Sequence, residues 1–124
     1  MKRPEQDLQR AVTQYLAILE SQGLLVWYPI PNGGKRGRVE SAIFKRLGLV
    51  RAGVPDLAIV MRGGQSAFIE LKSPNGRPTA KQFEMLAKLR SAGALTAVCD
   101  NLDAVIATVD GWIAKDIEAS ARMQ

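Results

Sequence analysis

The sequence predicts a mixed α/β fold in which helices flank a β-sheet, with the element order α-β-α-β-β-α-β-α. Segments whose apolar residues recur at helical spacing alternate with short, apolar, β-prone runs, and glycine-rich turns separate them. The chain has 124 residues, of which 47% are hydrophobic, which suffices for one domain with a buried core. We therefore expect residues 1–124 to form a single domain.

The first half of the chain is predicted to contain two helices and one strand. Residues 4–21 place their apolar side chains on one helical face, and a glycine follows two positions later. Residues 24–30 form a short β-prone run and predict a strand. The glycine-rich segment 31–38 predicts a loop, and residues 40–47 predict a short helix that ends at a glycine.

The second half is predicted to open with a β-hairpin. Residues 57–61 and 67–72 are β-prone runs on either side of a glycine turn. Thr79 begins a capping-box pattern that predicts a helix to about Ser91. Residues 95–99 predict a further strand, and the chain then continues as a helix from Leu102 to about Ala119.

Composition limits the chemistry of the protein. The 17 basic and 12 acidic residues give a formal charge of +5, which favours polyanionic partners, nucleic acid first. Histidine is absent, which excludes His-dependent triads and His ligands, and the single Cys99 cannot form a thiolate zinc site. Any metal must therefore be held by oxygen, which points to magnesium, manganese or calcium.

The N-terminus and the apolar runs suggest where the protein works. A polar, helical stretch follows the initial Met-Lys-Arg in place of an apolar signal core. No apolar run approaches the length of a membrane span. We therefore expect a cytoplasmic protein with no membrane partner.

Two acids and a lysine stand out on the predicted hairpin. Asp56 lies at the mouth of the first strand, while Glu70 and Lys72 lie in the second strand on one face, because side chains alternate. If the hairpin is centred on Gly64, residues whose numbers sum to about 128 face each other. This register sets Asp56 opposite Lys72 and diagonal to Glu70, so that all three converge.

Converging carboxylates without histidine or cysteine form a hard cation site suited to Mg²⁺ or Mn²⁺. Such a cation can polarise a phosphodiester and activate water, and Lys72 could position that water or stabilise charge in the transition state. The competing interpretation is a plain salt bridge between Lys72 and the acids. The Pro-Asp pair followed by Glu-x-Lys on two strands of one hairpin favours the catalytic interpretation.

These motifs resemble a known family. Pro55-Asp56 followed by Glu70-Leu71-Lys72 resembles the PD-(D/E)XK nuclease superfamily. Further segments resemble its VRR-NUC branch, namely Asn32-Gly33-Gly34, Leu47-Gly48, Gly53-Val54-Pro55-Asp56-Leu57 and Gln82-Phe83-Glu84-Met85-Leu86. The resemblance runs from about Glu5 to Cys99, and the order and spacing of the motifs make it specific.

The resemblance implies a restriction-endonuclease-like fold and divalent-metal hydrolysis of phosphodiester bonds in DNA. It implies metal ligation by Asp56, Glu70, the backbone carbonyl of Leu71 and an N-terminal acid matched by Glu5, and catalysis by Asp56, Glu70, Lys72 and Gln82. Stand-alone members resemble Holliday-junction resolvases and tend to be homodimers, which implies branched DNA, such as four-way junctions, as the substrate. Glu5 also suits a helix N-terminus by its charge, and Gln82 is also explained by the capping box.

Basic residues around the predicted site are candidates for phosphate contacts. The densest group lies in the glycine-rich loop, where a solvated flexible loop is the competing interpretation. The candidates for nucleic-acid binding are Asn32, Lys35, Arg36, Arg38, Lys45, Arg46, Arg51, Arg77 and Lys81.

Two other functions remain open from the sequence. A basic nucleic-acid-binding module without catalysis would use the acids only as salt-bridge partners. A small subunit would dock its C-terminal helix, residues 102–119, on a partner. The converging acids argue against the binding module, because such a module has no use for carboxylates beside phosphates.

Overall fold

A computed structural model describes residues 4–31 and 38–122 of the chain. The order of helices and strands in these ranges is the predicted one. The elements are α1 (Pro4–Ser21), β1 (Leu25–Pro29), α2 (Arg38–Arg46), β2 (Leu57–Met61), β3 (Ser66–Leu71), α3 (Ala80–Ser91), β4 (Leu95–Cys99) and α4 (Leu102–Arg122). The predicted mixed α/β class is therefore confirmed.

Several predicted boundaries differ from the observed ones by one to three residues. Helix α2 begins at Arg38 instead of Glu40, and β3 ends at Leu71, so that Lys72 directly follows the strand. Helix α4 continues to Arg122, one turn beyond the predicted end at Ala119. Helix ends carry weak sequence signals when no glycine or proline marks them, which accounts for this difference.

The four strands form one sheet in the order β1-β2-β3-β4. Strands β1 and β2 are antiparallel, as are β2 and β3, whereas β3 and β4 are parallel. A parallel pair cannot be joined by a tight turn, so α3 forms the crossover between β3 and β4. This crossover brings the first turn of α3 back to the end of the sheet where β3 finishes.

The register of the β2–β3 hairpin differs from the predicted one. Leu57 pairs with Ile69, so paired residue numbers sum to 126 and the hairpin is centred on Gly63. Gly64 has φ +99° and donates its N–H to the Met61 carbonyl, as in a type I turn that is followed by a left-handed glycine. This three-residue loop shifts the register by two positions, an even number, so each side chain keeps its predicted face.

The hydrophobic core lies between the sheet and helices α1 and α4. Alternate residues of β2 and β3, including Leu57, Ile59 and Ile69, are almost completely buried there. Helix α4 contributes Val105 and Val109 to the same core. Its apolar face is therefore used inside the chain, which argues against the prediction that α4 docks on a partner. Within residues 4–31 and 38–122, no helix is both long and apolar enough to cross a membrane.

Candidate functional site

The hairpin brings the two predicted acids side by side at the end of the sheet. Asp56 directly precedes β2 and donates its backbone N–H at 3.1 Å to the carbonyl of Ile69, the residue that pairs with Leu57. The register therefore places Asp56 beside Ile69 and Glu70, and the predicted position opposite Lys72 is wrong. The N–H of Leu71 donates to Oδ2 of Asp56 at 2.7 Å, so the backbone of β3 fixes this carboxylate.

Glu70 is buried, with 3% of its surface exposed, although it carries a carboxylate. Both of its neighbours bind one oxygen: Lys72 Nζ lies 3.2 Å from Oε2, and Gln82 Nε2 donates to Oε2 at 2.9 Å. The other oxygen, Oε1, is buried and has no hydrogen-bond partner among the described residues. A buried, unpartnered carboxylate oxygen is costly, and a bound cation would satisfy it.

Gln82 has two roles, so the two interpretations of this residue do not compete. The predicted capping box of α3 is confirmed: the Gln82 N–H donates to Thr79 Oγ1 at 3.2 Å, and the Thr79 N–H donates to Gln82 Oε1 at 2.8 Å. The same amide points its Nε2 at Glu70. Because the capping box uses Oε1 of Gln82, the amide nitrogen of the same side chain is left to bind the Glu70 carboxylate.

The electrostatics of the acidic pair are unfavourable when both carboxylates are charged. Burial raises the pKa of Glu70 to about 7, and the adjacent Asp56 carboxylate adds to this effect while Lys72 opposes it. Burial also raises the pKa of Asp56, whereas the hydrogen bond from the Leu71 N–H and the charge of Lys72 lower it because they favour the charged form. Raised pKa values at two neighbouring carboxylates are typical of functional sites.

Glu5 lies near this pair but makes a different contact. Its carboxylate accepts a hydrogen bond from the Ser73 N–H at 3.2 Å, which ties the start of α1 to the segment after β3. Its charge contributes to the raised pKa of Asp56. In the part of the chain that the structure describes, no three Asp, Glu, His or Cys side chains are close enough to hold a metal ion among themselves. Ligation by Glu5 and by the Leu71 carbonyl stays a prediction.

Two glycines with close backbone contacts flank the acids. Gly53 has φ +83°, and a Cβ built on it would lie 2.4 Å from the Lys81 carbonyl oxygen. A Cβ on Gly76 would lie 3.0 Å from the Ser73 carbonyl oxygen and 3.4 Å from Lys72 Cβ. The chain can therefore pass this close to α3 only because residue 53 has no side chain, whereas the space at Gly76 is tight. The sequence motif included Gly53 but gave no indication of which backbone it approaches.

The predicted nucleic-acid-binding residues fall into three groups. Asn32, Lys35 and Arg36 lie outside the described residues, and so does the side chain of Arg38, the first residue of α2. Four others are exposed cations, Lys45 and Arg46 in the last turn of α2, Arg51 before β2 and Arg77 before α3. The last candidate, Lys81 in the first turn of α3, is also exposed and lines a cavity together with Arg51.

The fold and the site together define a class. A mixed sheet flanked by helices, with an Asp-Glu pair and a lysine at one end of its hairpin, is a nuclease-like α/β domain of the PD-(D/E)XK type. A family model described as the VRR-NUC domain matches residues 3–101. The chain belongs to the VRR-NUC family, and the resemblance noted in the sequence is confirmed.

Solved structures agree with this assignment. A VRR-NUC domain protein of 27% sequence identity superposes with a TM-score of 0.72, over 92% of this chain and 91% of that chain. A second VRR-NUC domain, 19% identical, shares the fold with a TM-score of 0.63, over 88% of this chain and 97% of that one. No curated protein gives a significant match to the sequence.

Proposed function

We propose that this protein is a divalent-metal-dependent endonuclease that hydrolyses phosphodiester bonds in structured DNA, including four-way junctions. The observation that carries the proposal is the buried Glu70 carboxylate, whose Oε1 has no partner among the described residues and which lies beside the half-buried Asp56. Two adjacent charged carboxylates that are withdrawn from water repel each other, and a bound cation would offset that repulsion. Membership in a family of nuclease domains supports the same conclusion.

The donor set fits Mg²⁺ or Mn²⁺. Both ions prefer oxygen ligands, and magnesium in particular is commonly bound through one or two carboxylates together with substrate phosphate. Asp56 and Glu70 would hold the ion, with the Leu71 carbonyl and Glu5 as further candidate ligands. A divalent cation bound there supplies positive charge that polarises the scissile phosphodiester and makes water a better nucleophile.

The other residues of the site have distinct tasks in this proposal. Lys72, whose side chain is 14% exposed, stabilises the negative charge that develops on the phosphate, and its contact with Glu70 keeps the ammonium in place. Gln82 orients Glu70 by binding Oε2, which leaves Oε1 directed at the cation position. Because α3 fixes Gln82 through the capping box, this orientation is established before substrate binds.

The substrate assignment rests on charge and on the family. The formal charge of +5 and the exposed cations around the site favour a nucleic-acid backbone. The resemblance to junction-resolving enzymes favours branched DNA and a homodimer, because a two-fold dimer places two equivalent cuts symmetrically.

Cleavage assays test the proposal directly. Labelled four-way junction, flap, single-stranded and duplex DNA are incubated with the protein in Mg²⁺, in Mn²⁺ and in EDTA, beside Lys72→Ala. Lys115→Ala, an exposed lysine of α4, is the matched control. We expect cleavage that needs both the metal and Lys72 and that survives in the control. Cleavage by Lys72→Ala at the wild-type rate would refute the proposed site.

One observation favours a second candidate, a nucleic-acid-binding module without catalysis. Lys72 and Glu70 form an ion pair at 3.2 Å, as the salt-bridge interpretation requires. That pair leaves Oε1 of Glu70 without a partner among the described residues, which the salt-bridge interpretation does not explain. Salt-sensitive binding of DNA, with no cleavage of any substrate in Mg²⁺ or Mn²⁺, would establish this alternative.

A further inference from the structure

A cavity of about 210 Å³ lies beside the candidate site, where the segment before β2 packs on α3. Its lining residues are Arg51, Ala52, Lys81, Glu84, Met85 and Lys88. Three of them are cations and one is an acid. The surroundings therefore favour an anionic ligand, and Lys88, which the sequence motifs did not single out, belongs to the same cluster as Arg51 and Lys81.

The walls of this cavity are held together by a close backbone contact. Gly53 packs against the main chain of Lys81, with no room for a Cβ between them. Arg51, two residues earlier, lines the cavity together with Lys81 and Lys88. The backbone packing therefore brings the segment that carries Arg51 next to the helix that carries the two lysines.

The acid in the cavity is only weakly engaged. Glu84 Oε1 lies 3.7 Å from Lys88 Nζ, and the two side chains are 62% and 60% exposed. An exposed ion pair of this kind contributes little to stability, since water and salt screen it. Lys88 can therefore exchange the carboxylate for a phosphate at small cost, whereas Glu84 weakens the attraction of the cavity for anions.

The distance between the cavity and the two acids determines how far from the scissile bond a phosphate in the cavity would lie. Lys81 is adjacent to Gln82, whose side chain reaches Glu70, and Lys88 lies on the same face of α3 as Lys81. At 1.5 Å per residue, Lys88 lies about 9 Å along the helix from Gln82. One DNA strand rises about 3.4 Å per nucleotide, so this distance corresponds to at most about three nucleotides.

We infer that this cavity binds a backbone phosphate of the DNA strand that is cut, one to three nucleotides from the scissile bond. The inference rests on the proposed function and adds a defined subsite to it. A phosphate held there would set where the strand crosses Asp56 and Glu70, because Lys81 and Gln82 belong to the same helical turn.

A binding measurement tests the charge of the subsite. In an inactive Lys72→Ala background, DNA affinity is measured against salt concentration for Lys81→Ala and Lys88→Ala, with Lys115→Ala as the control. Each cavity variant is expected to weaken binding and to reduce the slope of log K against log salt by about 0.7 to 0.9, the value for one phosphate contact. The control slope should stay at the parental value.

Glu84→Gln separates phosphate binding from a purely structural role of the ion pair. If Lys88 acts on phosphate, removing the competing carboxylate should tighten DNA binding, opposite in sign to Lys88→Ala. If the pair only stabilises α3, both variants should weaken binding together. The second result would overturn the inference.

A chemical scan of the substrate locates the phosphate. A single methylphosphonate linkage, which removes one phosphate charge, is placed in turn at each position within four nucleotides of the cut. The cleavage rate of each substrate is then measured for the wild-type protein and for Lys81→Ala. One position within three nucleotides should slow the wild type several-fold and have no further effect on the variant. Full additivity at every position would overturn the subsite while leaving the nuclease intact. A wild-type protein that neither binds nor cuts DNA would overturn the proposed function as well.

Discussion

The acidic pair of buried Glu70 and half-buried Asp56 makes the stability of the metal-free protein depend on pH. The pKa of Glu70 rises from 4.5 to about 7 on folding, so the folded state binds more protons between these values than the unfolded state. The free energy of unfolding therefore falls as the pH rises through this window, by at most about 3 kcal/mol. Asp56, whose pKa is also raised, acts in the same direction. Glu70→Gln removes the titrating group and should flatten the profile.

Urea unfolding in EDTA between pH 4.5 and 8 measures this effect. The control is Glu118→Gln, which removes an exposed acid of α4 and should keep the wild-type profile. At pH 8, Mg²⁺ or Mn²⁺ at about 100 times its Kd should restore about 2.7 kcal/mol to the wild type and nothing to Glu70→Gln. If Glu70→Gln and Glu118→Gln showed the same dependence of unfolding free energy on pH, titration of Glu70 would not be its cause. Metal stabilisation that survives in Glu70→Gln would refute ligation by Glu70.

Three further predictions concern contacts that hold the helices and the segments around the site in place. Gly53→Ala should lower the cleavage rate and reduce the free energy of unfolding in urea by more than about 2 kcal/mol, because the new Cβ meets both a positive φ and the Lys81 backbone. The control is Gly23→Ala, where φ is +75° and the space is open, and it should reduce the free energy of unfolding by only about 1 kcal/mol. Tyr15→Phe removes the 2.7 Å hydrogen bond to Asp110 between α1 and α4, and should cost about 1 kcal/mol in the same assay without changing cleavage. Thr79→Ala removes the cap of α3 and should cost about 1 kcal/mol, whereas Thr79→Ser should retain stability and activity.

The fold was predictable because its elements carry periodic apolar patterns that the core then uses. Residues 57–61 and 66–71 were recognisable as short β-prone runs, and the capping box at Thr79 set the start of α3 correctly. Every second residue of these strands, from 57 to 61 and from 67 to 71, belongs to the core. The hairpin register was not predictable from the glycine pair alone. Either glycine could occupy the left-handed position, and only the observed Gly64 conformation fixes the centre at Gly63.

The candidate site was predictable in its acids and lysine but not in its supporting contacts. Asp56, Glu70 and Lys72 were recognisable because charged residues in an apolar hairpin contradict the local pattern. The close approach of Gly53 to α3 depends on the crossover geometry, which no local pattern encodes. Glu5 was identified as a possible ligand, whereas its observed contact is with the Ser73 N–H, a pairing between distant parts of the chain.

The arrangement around Glu70 distinguishes a functional carboxylate from a structural one. A structural buried acid would be stabilised by placing donors on both oxygens, yet Lys72 and Gln82 both bind Oε2. Oε1 is left without a partner among the described residues, and the half-buried Asp56 carboxylate lies nearby. In the proposed nuclease, a cation bound to Glu70 and Asp56 would satisfy this oxygen and offset the charge of the two acids. The Gln82 amide, held by the capping box, binds Oε2 and leaves Oε1 available to that cation.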